Sequence, residues 1–128
     1  MNKLFAVAMA VVASAGVAHA DPVLGTWKTE VDDGSYAHVA MQQCGANICG
    51  TIARTFKDGA EYKSPNLGKM LVRNMAPQGE GQYEGKVWRP SNDKIYIGKI
   101  DLQGNALKLR GCVAGGLICA KQTWTRVQ

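Results

Sequence analysis

Few side chains in this 128-residue chain are equipped for chemistry. There are two histidines, His19 and His38, and only His38 lies outside an apolar N-terminal leader. A Ser-His-Asp or Cys-His relay needs a histidine beside its nucleophile, so His38 alone would have to serve any such set. Four cysteines occur as Cys44 with Cys49 and Cys112 with Cys119. An even count without Cys-x-x-Cys, behind a secretory leader, favours disulfides over zinc ligation. No glycine-rich phosphate loop follows a strand and opens a helix. Alternation along the chain points Glu30, Glu84 and Asp101 outward and puts Asp32, Asp33, Asp58, Glu61 and Asp93 in turns. The pattern predicts no metal and no cofactor, and it ranks a hydrolase or isomerase below a binding role. Arg54 stands apart, because alternation places it on the inner face with Ile52 and Phe56, across from Val39. An arginine there must find a partner, reach the rim or bind an anion.

These residues belong to a chain that divides in two. Residues 1–20 have the form of a cleavable signal peptide: Lys3, an apolar run from Leu4 to Val17, and Ala18-His19-Ala20 as the cleavage site. Cleavage leaves residues 21–128 as one small domain in the periplasm or outside the cell. Without Lys3 the chain has fourteen basic and ten acidic side chains, a net +4. The basic residues are scattered, which argues against a nucleic-acid surface. Such a balance suits solubility, an anionic ligand or an acidic envelope protein, and contact with a membrane surface stays open.

No helical periodicity follows the leader. Short alternating runs are broken by Gly, Asn, Asp or Pro, which predicts strands over 24–32, 36–44, 48–56, 69–76, 82–89, 94–102, 106–113 and 118–127. Eight strands joined by short turns suit an up-and-down antiparallel barrel.

Face chemistry sets the registers, since a slip of one residue turns the apolar set outward. A turn at Gly104-Asn105 pairs Leu102 with Leu107 and Ile100 with Leu109 on one face, and Asp101 with Lys108 on the other. A loop at Pro90 to Asp93 pairs Val87 with Tyr96, Tyr83 with Ile100, and Glu84 with Lys99. Three disulfide connectivities are possible for four cysteines. A turn at Gly115-Gly116 sets Cys112 opposite Cys119, and one at Ala46-Asn47 sets Cys44 opposite Cys49, so the two local bridges are expected. Each would contribute roughly 2–2.5 kcal/mol on loop entropy. For the first hairpin, a bulge at Gly34 pairs Trp27 with Met41 and Thr29 with Val39, and places Glu30 outside beside His38. A row of small residues, Gly85, Gly98, Gly111 and Ala120, then crosses the inner face, through sharp coiling over a filled core or as the floor of a cavity.

Gly25-x-Trp27 opening the first strand and Trp124-Thr125-Arg126 closing the last resemble the pattern of lipocalin-like barrels, where the terminal strands pair and the arginine stacks on the indole. With Cys44-Gly45, Cys49-Gly50, Tyr96, Gly98-Lys99 and the stretch Leu107 to Val127, the chain resembles domain-of-unknown-function family 2147, small secreted bacterial proteins. That resemblance implies a lipocalin-like barrel and brings no activity or catalytic residue. Members often carry Asp before the proline of the 90–93 turn. Here that position is Arg89, so no role of the Asp carries over.

Function is therefore expected to lie in binding a small amphipathic or apolar molecule, with a carboxylate head as one possibility. Tyr83, Val87, Tyr96, Ile100 and Leu109 should line the cavity with Arg54 at its mouth, while Gly25, Trp27, Trp124 and Arg126 close the opposite end. The long connection from Lys57 to Gly68 should lie at the open end. The second expectation is a filled barrel whose outer set Lys99, Arg110 and Lys121 meets an acidic envelope partner.

Overall fold

The computed structural model describes residues 20–128, so the signal peptide expected over residues 1–20 lies outside the described residues except for Ala20, which is exposed. Nine strands form: β1 (Gly25–Lys28), β2 (Ser35–Cys44), β3 (Asn47–Lys57), β4 (Ala60–Tyr62), β5 (Met70–Gly79), β6 (Gln82–Arg89), β7 (Lys94–Gln103), β8 (Ala106–Val113) and β9 (Ile118–Arg126). All but β4 run antiparallel around a ring that closes where β9 returns to β1. The fold is the eight-stranded, lipocalin-like, up-and-down barrel. Its core holds Trp27, Trp124, Ile48, Met75, Leu107, Val39 and Val72, all fully buried.

The terminal strands seal one end. Arg126 lies over the Trp27 ring, 4.3 Å from its centroid. Its guanidinium donates to the carbonyls of Leu24 (3.0 Å) and Pro22 (2.5 Å) and to Asn105 Oδ1 (3.1 Å). The Trp27 indole donates to the Val23 carbonyl at 2.9 Å, so the ring is buried with its polar atom satisfied. Gly25 adopts φ 122°, and a Cβ there would sit 2.5 Å from the Gln128 carbonyl oxygen. Only glycine permits that approach. Tyr83 donates its hydroxyl to Asp21 beneath the same plug.

The registers from β6 to β9 follow the sequence: Tyr83 faces Ile100, Val87 faces Tyr96, Leu102 faces Leu107 and Leu107 faces Trp124. Both disulfides form as expected, Cys44–Cys49 and Cys112–Cys119. Earlier in the chain three expectations are corrected. In the first hairpin Trp27 pairs with Val39 rather than Met41. Asp33 and Gly34 both take positive φ, 52° and 76°, between bridged Asp32 and Ser35. The two-residue turn therefore forms, and the extra residue is absorbed between Thr29 and Asp32 instead of at Gly34. In the second hairpin the turn is Gly45-Ala46, with Cys44 opposite Asn47 and Gln42 opposite Cys49. The bridge thus spans a diagonal, with Cα atoms 5.7 Å apart.

The third correction concerns Arg54. The β2–β3 register shifts between His38 and Val39: His38 faces Arg54, but Val39 faces Ile52. The bulge at Ala53 reverses the facing of everything beyond it. Thr55 turns inward and is buried, while Arg54 turns outward, its side chain 56% exposed, and pairs with Glu61 at 2.6 Å. His38 lies against the Phe56 ring at 4.7 Å on that outer wall. Burial, then the Arg54 charge, hold its imidazole below the ordinary range. The connection after Lys57 supplies β4, which turns back along β3 and pairs Tyr62 with Thr55.

Trp27→Ala should cost roughly 3–5 kcal/mol as a large-to-small change in the plug, measured by denaturant unfolding. A loss below about 1 kcal/mol would show that the plug does not carry the fold. Burial, then the Asp21 bond, raise the Tyr83 phenol well above its usual value. The fold thus favours the neutral phenol. Its contribution is complete below about pH 10, the unfolded value, and is lost as pH rises toward the folded one. Unfolding midpoints of the wild type should therefore fall more steeply above about pH 10 than those of Tyr83→Phe.

Candidate functional site

The half of the barrel away from the plug is hollow. A cavity of about 400 Å³ opens at the end bearing the 32–35 and 90–93 turns. Trp124 and Leu109 form its floor region, Val87, Ile52 and Leu71 its apolar wall, and Ala37, Gly111 and Ala120 the thin parts of that wall. Polar groups gather toward the mouth, Thr55, Ser64, Asn66, Arg89 and Tyr96, while Gln122 accepts from the Trp124 indole at the floor.

The row of small residues serves two ends. A Cβ on Gly85 would strike the backbone carbonyls of Arg73 and Asn74, because β5 bulges there. On Gly98 it would lie 2.9 Å from Met75 Cε and 3.2 Å from the Lys86 carbonyl carbon. These two glycines admit neighbouring chain and leave no hollow. On Gly111 the contacts are ordinary, 3.6 Å to Val87 Cγ1 and 3.7 Å to Tyr96 Cβ. Gly111 and Ala120 thus border open space, and both readings of the row hold, each for half of it.

Among the residues expected to line a cavity, Val87, Tyr96 and Leu109 do. Tyr83 and Ile100 are buried, but neither lines this cavity. Arg54 is outside, as the bulge requires. Its place at the mouth is taken by Arg89, which ends β6 and has no carboxylate partner among the described residues. Glu30, expected outside near His38, instead reaches across the seam and accepts the Thr123 N–H at 3.0 Å while lining the mouth.

Asn92 donates to the Tyr96 hydroxyl at 2.7 Å. That bond holds the phenol below its ordinary range, with Arg89 and Lys94 adding to it, although burial acts the other way. The acceptor side of the Tyr96 oxygen is occupied, so its proton is free to donate to a guest. Two further features escaped the sequence. The Thr55 hydroxyl donates to the Tyr62 carbonyl at 2.6 Å and accepts from Ser64 N at 3.2 Å, tying the 60–66 segment to the mouth. Trp88 donates to Asp93 at 2.8 Å, fixing the 90–93 turn. The Trp88–Asp93 spacing was a legible signal for the second, whereas nothing in the sequence marks the bulge that buries Thr55. Among the described residues no cluster of three or more His, Cys, Asp or Glu side chains is arranged to hold a metal.

A family model described as uncharacterized protein conserved in bacteria (DUF2147) matches residues 25–126. The chain belongs to this family. The match runs from the glycine of the plug to its arginine, so it encompasses the whole barrel. The solved structure of protein HP1028 from Helicobacter pylori, described as belonging to the lipocalin family, superposes with a TM-score of 0.65 at 16% identity, covering 83% of each chain. At that identity the likeness establishes the fold. No curated protein matches the chain.

The divided glycine row yields a paired test. Gly98→Leu should overpack and cost roughly 1–3 kcal/mol or more. Gly111→Leu should extend into the hollow and change stability by no more than the order of 1 kcal/mol expected of the backbone effect. Denaturant midpoints of the two variants, compared side by side, check this. Equal losses would show that the hollow is already filled.

Proposed function

We propose that this protein binds a small, partly apolar molecule with a polar or anionic end, the apolar part inside the barrel and the polar end at the mouth. The observation that carries the reading is the cavity itself. Its volume of about 400 Å³ falls within the ~300–1,000 Å³ typical of small-molecule sites. An apolar floor beneath a few convergent polar groups is the usual make-up of such sites. A lipocalin-like fold is consistent with binding rather than catalysis, and His38 packs behind Phe56 and does not itself line the hollow.

Arg89 and Tyr96 are the proposed contacts for the polar end. The guanidinium offers a fork of donors suited to a carboxylate, and the phenol offers one more. Asn92 orients the phenol, and the Trp88–Asp93 bond holds the turn that carries Asn92. The two disulfides fit an oxidising compartment such as the periplasm or the extracellular medium. The proposal includes export by the leader and a mature chain starting at Asp21, whose carboxylate is built into the plug.

Displacement of a fluorescent fatty-acid probe tests the reading. Medium-chain carboxylates should compete, and Gly111→Leu should abolish probe binding. Arg89→Gln should weaken a carboxylate by about tenfold or more relative to its alcohol analogue, because only the anion gains the charge-assisted bond. Equal weakening of both would remove Arg89 from the site. No probe or competitor binding in the wild type would defeat the binding role.

A further inference from the structure

The barrel closes through a short seam. β1 pairs with β9 at only two positions, Trp27 with Arg126 and Lys28 with Thr125. Past Arg126 the seam continues through backbone bonds of Thr26 with Val127 and Gln128, but on the other side one further bond crosses, from Thr123 N to Glu30. Beyond Thr123, β9 continues to Ile118 and pairs with β8 throughout, but no described residue pairs with its other side. Residues 118–123 are all exposed. N–H and C=O alternate in direction along a strand. Because Thr123 N points across the seam, the N–H and C=O of Lys121 and Cys119 point the same way and are free. The corresponding gap on the other side of β2 and β3 is filled, because β4 lies on the upper half of β3.

Charge is laid out toward this edge. Lys99 faces Arg110, and Arg110 faces Lys121, so three cations stand in one cross-strand row on the outer face and end at the free edge. Like charges directly opposite one another destabilise a sheet. Glu84 faces Lys99 at the far end of the row and Asp101 lies beside its middle, opposite Lys108, whereas Lys121 faces no acid across the sheet. The next position beyond Lys121 is vacant. A second copy of β9 there would bring a second basic row against the first, which is how edge lysines discourage self-pairing.

We propose that the free edge of β9 is a docking site for an extended acidic segment, which adds to the sheet as one more strand beside Cys119 and Lys121. Main-chain bonds supply the pairing, as in β-strand addition generally. An Asp or Glu opposite Lys121 completes the charged row. Period-2 alternation turns the flanking side chains inward over the seam, where Ala120, Lys121 and Gln122 border the cavity, so the segment alternates acidic and small apolar residues. The Glu30 bond to Thr123 marks where pairing stops. The site rests on the seam and the row and not on a ligand in the barrel, although Lys121 also borders the cavity.

The test uses the mature chain and a labelled, end-capped hexapeptide of alternating Glu and Val, followed by fluorescence anisotropy at low salt. The acidic peptide should bind, its Lys-Val counterpart should not, and affinity should fall as salt rises. N-methylating alternate amides in the pairing register should weaken binding at least about tenfold, as should Lys121→Glu, which should also admit the Lys-Val peptide. Lys121 is exposed, so thermal unfolding of the variant should match the wild type. Equal binding of both peptides, or an affinity unmoved by N-methylation or by Lys121→Glu, would overturn the proposal. So would a dimer of the unliganded chain that is lost in Lys121→Pro, which would give the edge to a second copy.

Discussion

Everything else in the barrel depends on how Trp27 is held. An indole of that size cannot be buried unless its N–H finds an acceptor, and Val23 supplies one from the segment that precedes β1. Arg126 then covers the ring and ties down two more carbonyls of the same segment. One cation thus joins the start of the chain to its end. The bonds are directional, so they fix β1 against β9 at one register, which burial of apolar area alone does not do. With that end sealed by side chains, the open space lies toward the opposite end, where Trp88, Arg89 and Tyr96 border it.

The division between filled and hollow halves follows from where large and small residues face each other. Met75 comes over Gly98 and the bulged backbone of β5 comes over Gly85, so that part of the row is filled. Farther along the row, Gly111 meets Val87 and Tyr96 at ordinary contact distance, and Gly111 and Ala120 border the open space. Bulges do the rest. One between Thr29 and Asp32 restores the facing of the first hairpin. The other, at Ala53, exchanges an arginine for a threonine on the inner wall and thereby changes which cation can meet a guest.

Much of this was legible in the sequence, for a physical reason. From Tyr83 to Trp124 every turn is short, and the pairings that place Leu, Ile or Val inward also place Glu84 beside Lys99, Asp101 beside Lys108 and Cys112 beside Cys119 outward. Two independent signals then agree on one register. In β2 and β3 they did not. A bulge adds a residue without leaving a charge or a turn former to mark it, so the inward placement of Arg54 failed although the count along the strand was sound. The site suffered in consequence: Val87, Tyr96 and Leu109 were found through registers that have no bulge, and Arg89, which the same registers put near the open end, was set behind Arg54 as the cation of the mouth.

The seam also bears on how the chain reaches its fold. Neighbouring strands from β5 to β9 meet across connections of a few residues, and each disulfide spans one tight hairpin, with separations of five and seven. Such contacts need little loop closure and are available early. Trp27 and Arg126 must instead be brought together from opposite ends of the domain. Their stack has the highest entropic cost of closure in the barrel, and until it forms the meander remains an open sheet with two unsatisfied edges. The contact that determines the architecture is therefore the one the chain is least able to make first.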